Sequence, residues 1–249
     1  GYIPSEIILK LQENMEIPTD GVFVNYFGMQ RFGTHATSTD TIGEAMLRQD
    51  YHLACSLIIP TRFPDLRALF DDGDYAGALA VCPPFLHTER CILEHLAGKP
   101  TDWEGALMRV PKETRMLYVH AWQSLMFNRG ASARISVSRE VVVGDLVMDS
   151  DESVITVDDD IITNFTMFDV VIALPGYQTV QTQTPSLCFQ PKNPGMYDLP
   201  GCYRKLLSRA EDLVVSKLPD HKGFTLQFTL KPSAYATMFL REHFECVEP

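Results

Sequence analysis

The hydrophobic period changes partway along this chain, and that switch constrains the fold more tightly than any other feature. Between about Asp50 and Gly98, apolar residues recur at helical spacing in short segments interrupted at Pro60, Pro64, Gly73 and Pro83-Pro84. Pro111 suits the first position of a helix, where its missing N–H costs nothing. It opens the longest helical pattern, through Met116, Val119, Ala121, Trp122, Leu125 and Met126 toward Gly130. Past Gly130 the period becomes two: Val141 to Val143, Leu146 to Met148 and Val154 to Val157 read as strands with acidic turns between them.

The flanks extend the pattern. Ser5 suits an N-cap for a short amphipathic helix through about Met15, with Ile8, Leu11 and Met15 at helical spacing. A turn at Pro18 to Gly21 leads into a short strand, Val22 to Tyr26, and Thr39 or Asp40 caps a helix reaching Gln49. Residues Gln178 to Pro200, rich in Thr, Gln, Pro and Asn, read as a surface loop. Strands at Asp212 to Ser216 and Phe224 to Leu230 follow, then a helix over Ala234 to Phe244. The expected class is α+β, a mixed sheet with helices.

With 249 residues, 45% of them hydrophobic, the chain can build one large or two modest cores. It has no apolar run near the roughly 18 residues that a membrane span needs, and its start lacks the basic-then-apolar order of a signal peptide. The reading is a soluble intracellular protein. Six scattered cysteines without a CxxC pair read as free buried thiols. A formal charge of −11 opposes nonspecific binding to polyanions, because Lys and Arg supply most sequence-independent phosphate affinity. The acids cluster, however, at Asp71 to Asp74, Asp149 to Glu152 and Asp158 to Asp160, which allows charge to be segregated by face.

Asn25-Tyr26-Phe27-Gly28-Met29-Gln30-Arg31-Phe32-Gly33 packs an amide, aromatic rings, a guanidinium and two glycines into nine residues. An amide reads the edge of a base, a ring stacks on its face, Arg pairs with phosphate, and Gly admits close backbone approach. Further blocks follow in order: Arg115 to Ser124 with Phe127-Asn128, Gly144 to Val147, Asp169 to Val171 with Leu174-Pro175-Gly176, Gly201 to Leu206, and Tyr235 to Thr237 with Leu240-Arg241-Glu242. Together these six blocks resemble the signature of the TruD family of pseudouridine synthases, which isomerise uridine to its C-glycoside within RNA. Trp122 stands where the family pattern usually has Tyr.

The resemblance implies a mixed-sheet catalytic domain interrupted by an inserted domain that is largely helical with a small strand region. Residues 1–50 and 197–249 would be the catalytic parts and 51–196 the insertion. It implies that Asn25 contacts the edge of the target uracil, that Phe27 supports its flipped-out face, and that Tyr235 is a second aromatic packing on the base. Gln30 and Arg31 would orient the loop or contact phosphate, with a structural ion pair for Arg31 equally consistent. Arg204 and Lys205 would contact RNA backbone at the rim. The implied partner is tRNA or another structured RNA, and no metal or organic cofactor is implied.

One departure stands out. The family carries its nucleophilic aspartate in a G-x-K-D segment upstream of the Asn25 block, and none of Glu6, Glu13, Glu16 or Asp20 has that context. With Gly1 as first residue, the expectation is a piece of a longer product, lacking the nucleophile and inactive alone. Two other readings remain open: a noncatalytic RNA-binding fragment or pseudoenzyme, and an acidic protein-interaction module.

Two further clusters invite chemistry and do not support it. His87, Cys91 and His95, with Cys82 nearby, fall at i, i+4 and i+8, which spreads the outer pair about 12 Å along a helix and matches no zinc template. His120 and Ser124 lack an acid partner and a strand-turn-helix elbow, and read as packing between domains. Arg241-Glu242 reads as a structural pair.

Overall fold

The segments marked out by proline, glycine and aspartate become six helices in the computed structural model, which describes residues 3–10, 20–33, 38–179, 197, 199–217 and 223–243. They are α1 (Thr39–Leu47), α2 (Tyr51–Ile58), α3 (Pro64–Asp71), α4 (Tyr75–Val81), α5 (His87–Gly98) and α6 (Trp103–Arg109). Local chemistry starts them. Asp50, Asp74 and Asp102 cap α2, α4 and α6 by accepting from the amides of Leu53, Gly77 and Gly105 at 2.8–3.0 Å, each cap contributing about 1 kcal/mol. Helix α1 is preceded by Ser38 rather than beginning behind a Thr39 or Asp40 cap.

These helices enclose one core, with Met46, Cys55, Ile59, Leu66, Ile92, Leu93, Leu96 and Leu107 fully buried. Helix α1 crosses the long helix α7 (Lys112–Val137) at Gly43, where a Cβ would fall onto the carbonyl of Tyr118. Only glycine permits that approach. Because α1 buries Ile42, Ala45, Met46 and Leu47 in the helical core, the packing unit includes residues 39–47, which the expected boundary at residue 50 excluded.

Helix α7 is longer than its pattern predicts. An interior glycine costs only about 1 kcal/mol, and beyond Gly130 the helix gains Ala131 packing and the buried side chain of Arg134. Arg134 donates to both carboxylate oxygens of Asp145 (2.5 and 2.6 Å) and to the carbonyls of Ser138 and Glu140. The expected strand at Val141 to Val143 is therefore absent: the segment wraps around this ion pair, with the Val142 amide donating to Asp145.

Strands β3 (Leu146–Met148), β4 (Val154–Thr156), β5 (Val170–Leu174) and β6 (Cys202–Lys205) form an antiparallel sheet in the order β4-β3-β5-β6. The pairing of β5 with β6 runs across the expected boundary at residue 197. Strand β2 (Val22–Val24) pairs with β7 (Leu207–Arg209), and β8 (Glu211–Lys217) and β9 (Gly223–Leu230) complete a three-stranded sheet with β1 (Ile3–Lys10). Residues 3–10 are thus a strand and not the start of a helix. A short Ile-Ile-Leu run fits both periods, and the antiparallel ladder from Ile3↔Leu230 to Lys10↔Gly223 supplies backbone partners that a marginal short helix could not match. Residues 11–15 of the expected helix, and nearly all of the expected 178–200 loop, lie outside the described residues.

Two more cores flank β2, whose alternation sends Phe23 one way and Val24 the other. Phe23 packs with Leu226, Phe228 and Phe239 of α8 (Ala236–His243); Val24 packs with Phe127, Ala131, Val170, Ile172 and Leu206. Among the described residues no helix is long and apolar enough to cross a membrane.

Candidate functional site

Leu206 lies where the chain changes sheets. Its N–H donates to Val170 (2.9 Å) at the end of the β5–β6 pairing, and its carbonyl accepts from Asn25 (2.9 Å), the residue that follows β2. This corner lays Arg204 and Lys205 against Asn25, about 180 residues away in sequence.

Arg204 is 9% exposed and holds three segments together. Its Nε donates to the Asn25 carbonyl (2.9 Å), one terminal nitrogen to Asn25 Oδ1 (2.6 Å) and the Ser233 carbonyl (2.9 Å), the other to Ser233 Oγ (3.0 Å). The guanidinium also lies 4.2 Å from the Phe27 ring centroid and 5.4 Å from that of Phe127. Burial pushes its pKa down to about 10, so it remains charged at neutral pH. The expectation of a rim position for Arg204 is corrected here: it forms the floor beneath the Asn25–Phe27 segment, with most of its donors engaged internally.

Because arginine only donates, the Asn25 carboxamide must turn its oxygen to Arg204, leaving its nitrogen to donate to the Lys205 carbonyl (3.1 Å). One amide N–H and one oxygen lone pair remain. Phe27 is fixed through its backbone by Asn128, whose side-chain oxygen accepts from the Phe27 amide (2.8 Å) and whose nitrogen donates to the Phe27 carbonyl (3.0 Å). The Phe27 ring meets Phe127 at 5.5 Å and Tyr235 at 6.1 Å between centroids, both edge-on. A Cβ on Gly28 would lie 2.9 Å from the Tyr235 ring and meet the end of the Gln30 side chain, so a larger residue there would displace both.

The structure therefore brings Asn25, Phe27, Tyr235 and Arg204 together. Gln30 is exposed on a single 3-10 turn (Met29–Arg31), and Arg31 donates to Ser124 Oγ (3.1 Å), which donates in turn to the His120 carbonyl (2.8 Å). His120 bonds Gln123, which donates to the Pro175 carbonyl, tying α7 to the end of β5. Lys205 stands 3.5 Å from Asp169. Burial would raise the Asp169 carboxyl, but hydrogen bonds from Thr166 and Lys205 outweigh it and hold the group below the ordinary carboxylate range. An open cleft of about 660 Å³ borders Asn25, Phe27, Arg204, Lys205 and Ser233.

Sequence reasoning misses Asn128 and Ser233. Asn128 belongs to the Phe127-Asn128 motif, and that is its signal; the left-handed backbone of Ser233 (φ 69°), which aims its carbonyl at Arg204, has no sequence signature. On α5, His95 bonds Asp102 at 2.8 Å, and among the described residues no three His, Cys, Asp or Glu side chains are placed to hold a metal ion.

Comparison with known proteins bears on this geometry. The family profile described as tRNA pseudouridine synthase D (TruD) matches residues 4–243. The chain is 30% identical to multisubstrate pseudouridine synthase 7 of Schizosaccharomyces pombe, covering 88% of this chain and 44% of that protein. It is 26% identical to the human pseudouridylate synthase 7 homolog, covering 94% and 43%. It thus spans less than half the length of these relatives. A crystal structure of a Methanosarcina mazei protein assigned to TruD superposes with a TM-score of 0.74 at 24% identity, over 90% of this chain and 61% of that one, showing a shared fold. With the profile spanning nearly all of its residues, the chain belongs to the TruD family of pseudouridine synthases.

Proposed function

We propose that this chain forms the uridine-holding part of an RNA pseudouridine synthase acting on tRNA or another structured RNA inside the cell. The observation that carries the reading is the meeting of Phe27 with Tyr235, 208 positions apart in a chain of 249, where Phe27 covers the buried Arg204 guanidinium and borders an open cleft. Flipping a base out of its stack costs a few kcal/mol, and an aromatic platform returns roughly 1–3 kcal/mol per base. The spare Asn25 amide N–H is a donor for a uracil carbonyl, and Arg204 fixes the amide in the orientation that presents it. Gln30 and Arg31 shape the loop beside it, Arg31 through its bond to Ser124.

In the chemistry that the resemblance implies, an aspartate attacks the uridine, the glycosidic bond breaks, and the uracil rotates to rejoin through C5. The 249 residues contain no G-x-K-D segment. The cleft carboxylates, Asp169 and Glu211, face Lys205 and Lys231, and we give them no part in bond breaking. The pairing of both cleft carboxylates with lysines favours a second reading, an RNA-binding module without catalysis. Fluorescence anisotropy with a short single-stranded RNA carrying one uridine, alongside tritium release from RNA labelled at uridine C5, tests both. We expect binding that Asn25→Ala and Phe27→Ala weaken, and no tritium release by this chain alone. Release would overturn the absence of a nucleophile; lack of any binding would favour the acidic interaction module.

A further inference from the structure

The cleft is electrostatically unlike the rest of the chain. Its lining carries four cations, Arg204, Lys205, Arg209 and Lys231, against two carboxylates, Asp169 and Glu211, in a protein whose formal charge is −11. The cations differ in how far they are already committed. Arg204 is buried and hydrogen-bonded four times, Lys205 pairs with Asp169, and Lys231 reaches Glu211 only at 4.0 Å.

Arg209 is different. It is exposed at the end of β7, and its guanidinium lies 4.8 Å from the centroid of the half-buried Phe168 ring. Among the described residues its guanidinium has no hydrogen-bond or ion-pair partner. Stacking fixes the plane of a guanidinium without using its N–H groups, so the side chain is pre-oriented while its donors stay free. A fixed planar fork of donors matches two oxygens of a phosphate, which a lysine ammonium would hold only as a point charge.

We infer that Arg209, seated on Phe168, is a phosphodiester subsite of this cleft, taking an RNA backbone phosphate beside the target nucleotide, with Lys231 as a weaker second contact. The inference rests on the uridine-pocket reading and deepens it. Arg209 lies five positions from Arg204, at most about 18 Å of extended chain, so the phosphate belongs to a nucleotide next to the target or close to it. Asn25, Phe27 and Tyr235 hold the base; Arg209 sets the register of the strand that carries it.

The test is anisotropy with the same short single-stranded RNA over a salt series, on the unmodified chain and on Arg209→Ala, Arg209→Lys and Asn25→Ala. For single strands each neutralised phosphate contributes about 0.7 to the slope of log affinity against log salt. Arg209→Ala should lower the slope by about that amount while preserving the preference for uridine over cytidine at the target position. Arg209→Lys should keep the slope and bind more weakly. Asn25→Ala should do the reverse of Arg209→Ala, losing base preference at unchanged slope. An unchanged slope in Arg209→Ala, with uridine preference intact in the parent, would overturn the subsite alone. No RNA binding by the parent would overturn the pocket reading and the subsite with it. Arg209 is exposed, and matching melting curves for parent and variant confirm that folding is not the variable.

Discussion

Arg204→Met keeps most of the side chain's volume while removing four hydrogen bonds and the charge over Phe27. Hydrogen bonds from a charged donor contribute about 1.5–3 kcal/mol each, so the four sum to about 6–12 kcal/mol before opposing terms. Opposing them is the penalty for burying the charge: a guanidinium displaced to about 10 corresponds to roughly 3 kcal/mol against its charged form. Taking that penalty off leaves about 3–9 kcal/mol, and water from the open cleft, by reaching some of the abandoned carbonyls, brings the net loss toward the lower bound of about 3 kcal/mol. In a chain of this size that lowers the melting midpoint by about 6–12 °C. Thermal unfolding by circular dichroism reads it. Arg204→Lys, which keeps charge but not the planar fork, should recover less than half. A methionine variant melting within about 2 °C of the parent would refute the clamp, because it would mean the four bonds barely exceed the penalty of burying the charge.

Three further outcomes follow from the packing. Gly43→Ala should destabilise the helical core by about 3 kcal/mol or more, because the new methyl meets backbone at Tyr118 and not a side chain able to move aside; chemical denaturation measures it. The Asp102 carboxyl is held below the ordinary range by its bond to His95 and then by the Gly105 amide. Its folded pKa is therefore lower than its unfolded value near 4, so its stabilisation is complete above that value and lost as the pH falls below it. Asp102→Asn should flatten the acid limb of a stability-against-pH curve, and an unaltered limb would contradict this. Burial pushes the Cys55 thiol up to about 12; it raises Cys202 too, but Cys202 stands exposed at the cleft where a reagent reaches it. Iodoacetamide mapping at pH 8 should label Cys202 and spare Cys55 until unfolding, and equal labelling rates in the folded protein would disprove that burial.

What the sequence made legible was local. The helices between residues 39 and 110 announce themselves because Asp, Pro and Gly act on their immediate neighbours. Residues 3–10 mislead because their partner is β9, more than two hundred positions away. Val141 to Val143 mislead because the Arg134–Asp145 pair overrides their β propensity. Asn25 and Phe27 at the cleft, and Tyr235 behind Phe27, are reachable through the shared motifs, but Arg204 and Lys205 look alike as two adjacent cations. Strand alternation sends one into the floor and the other toward Asp169, and only burial tells which.

Helix α7 belongs to two cores at once, and the division falls between neighbours: Met126 closes its part in the helical core, while Phe127 packs into the sheet core and against the Phe27 ring. No loop or proline intervenes, so its 26 residues form a rod about 39 Å long. Such a rod acts as a lever. A tilt of the six-helix body about the sheet cannot be absorbed at a hinge between Met126 and Phe127, and moves the Phe127 ring with it. The aromatic wall at Phe27 is thereby geared to the helical body, so a load on one surface is felt at the other as a change in ring position.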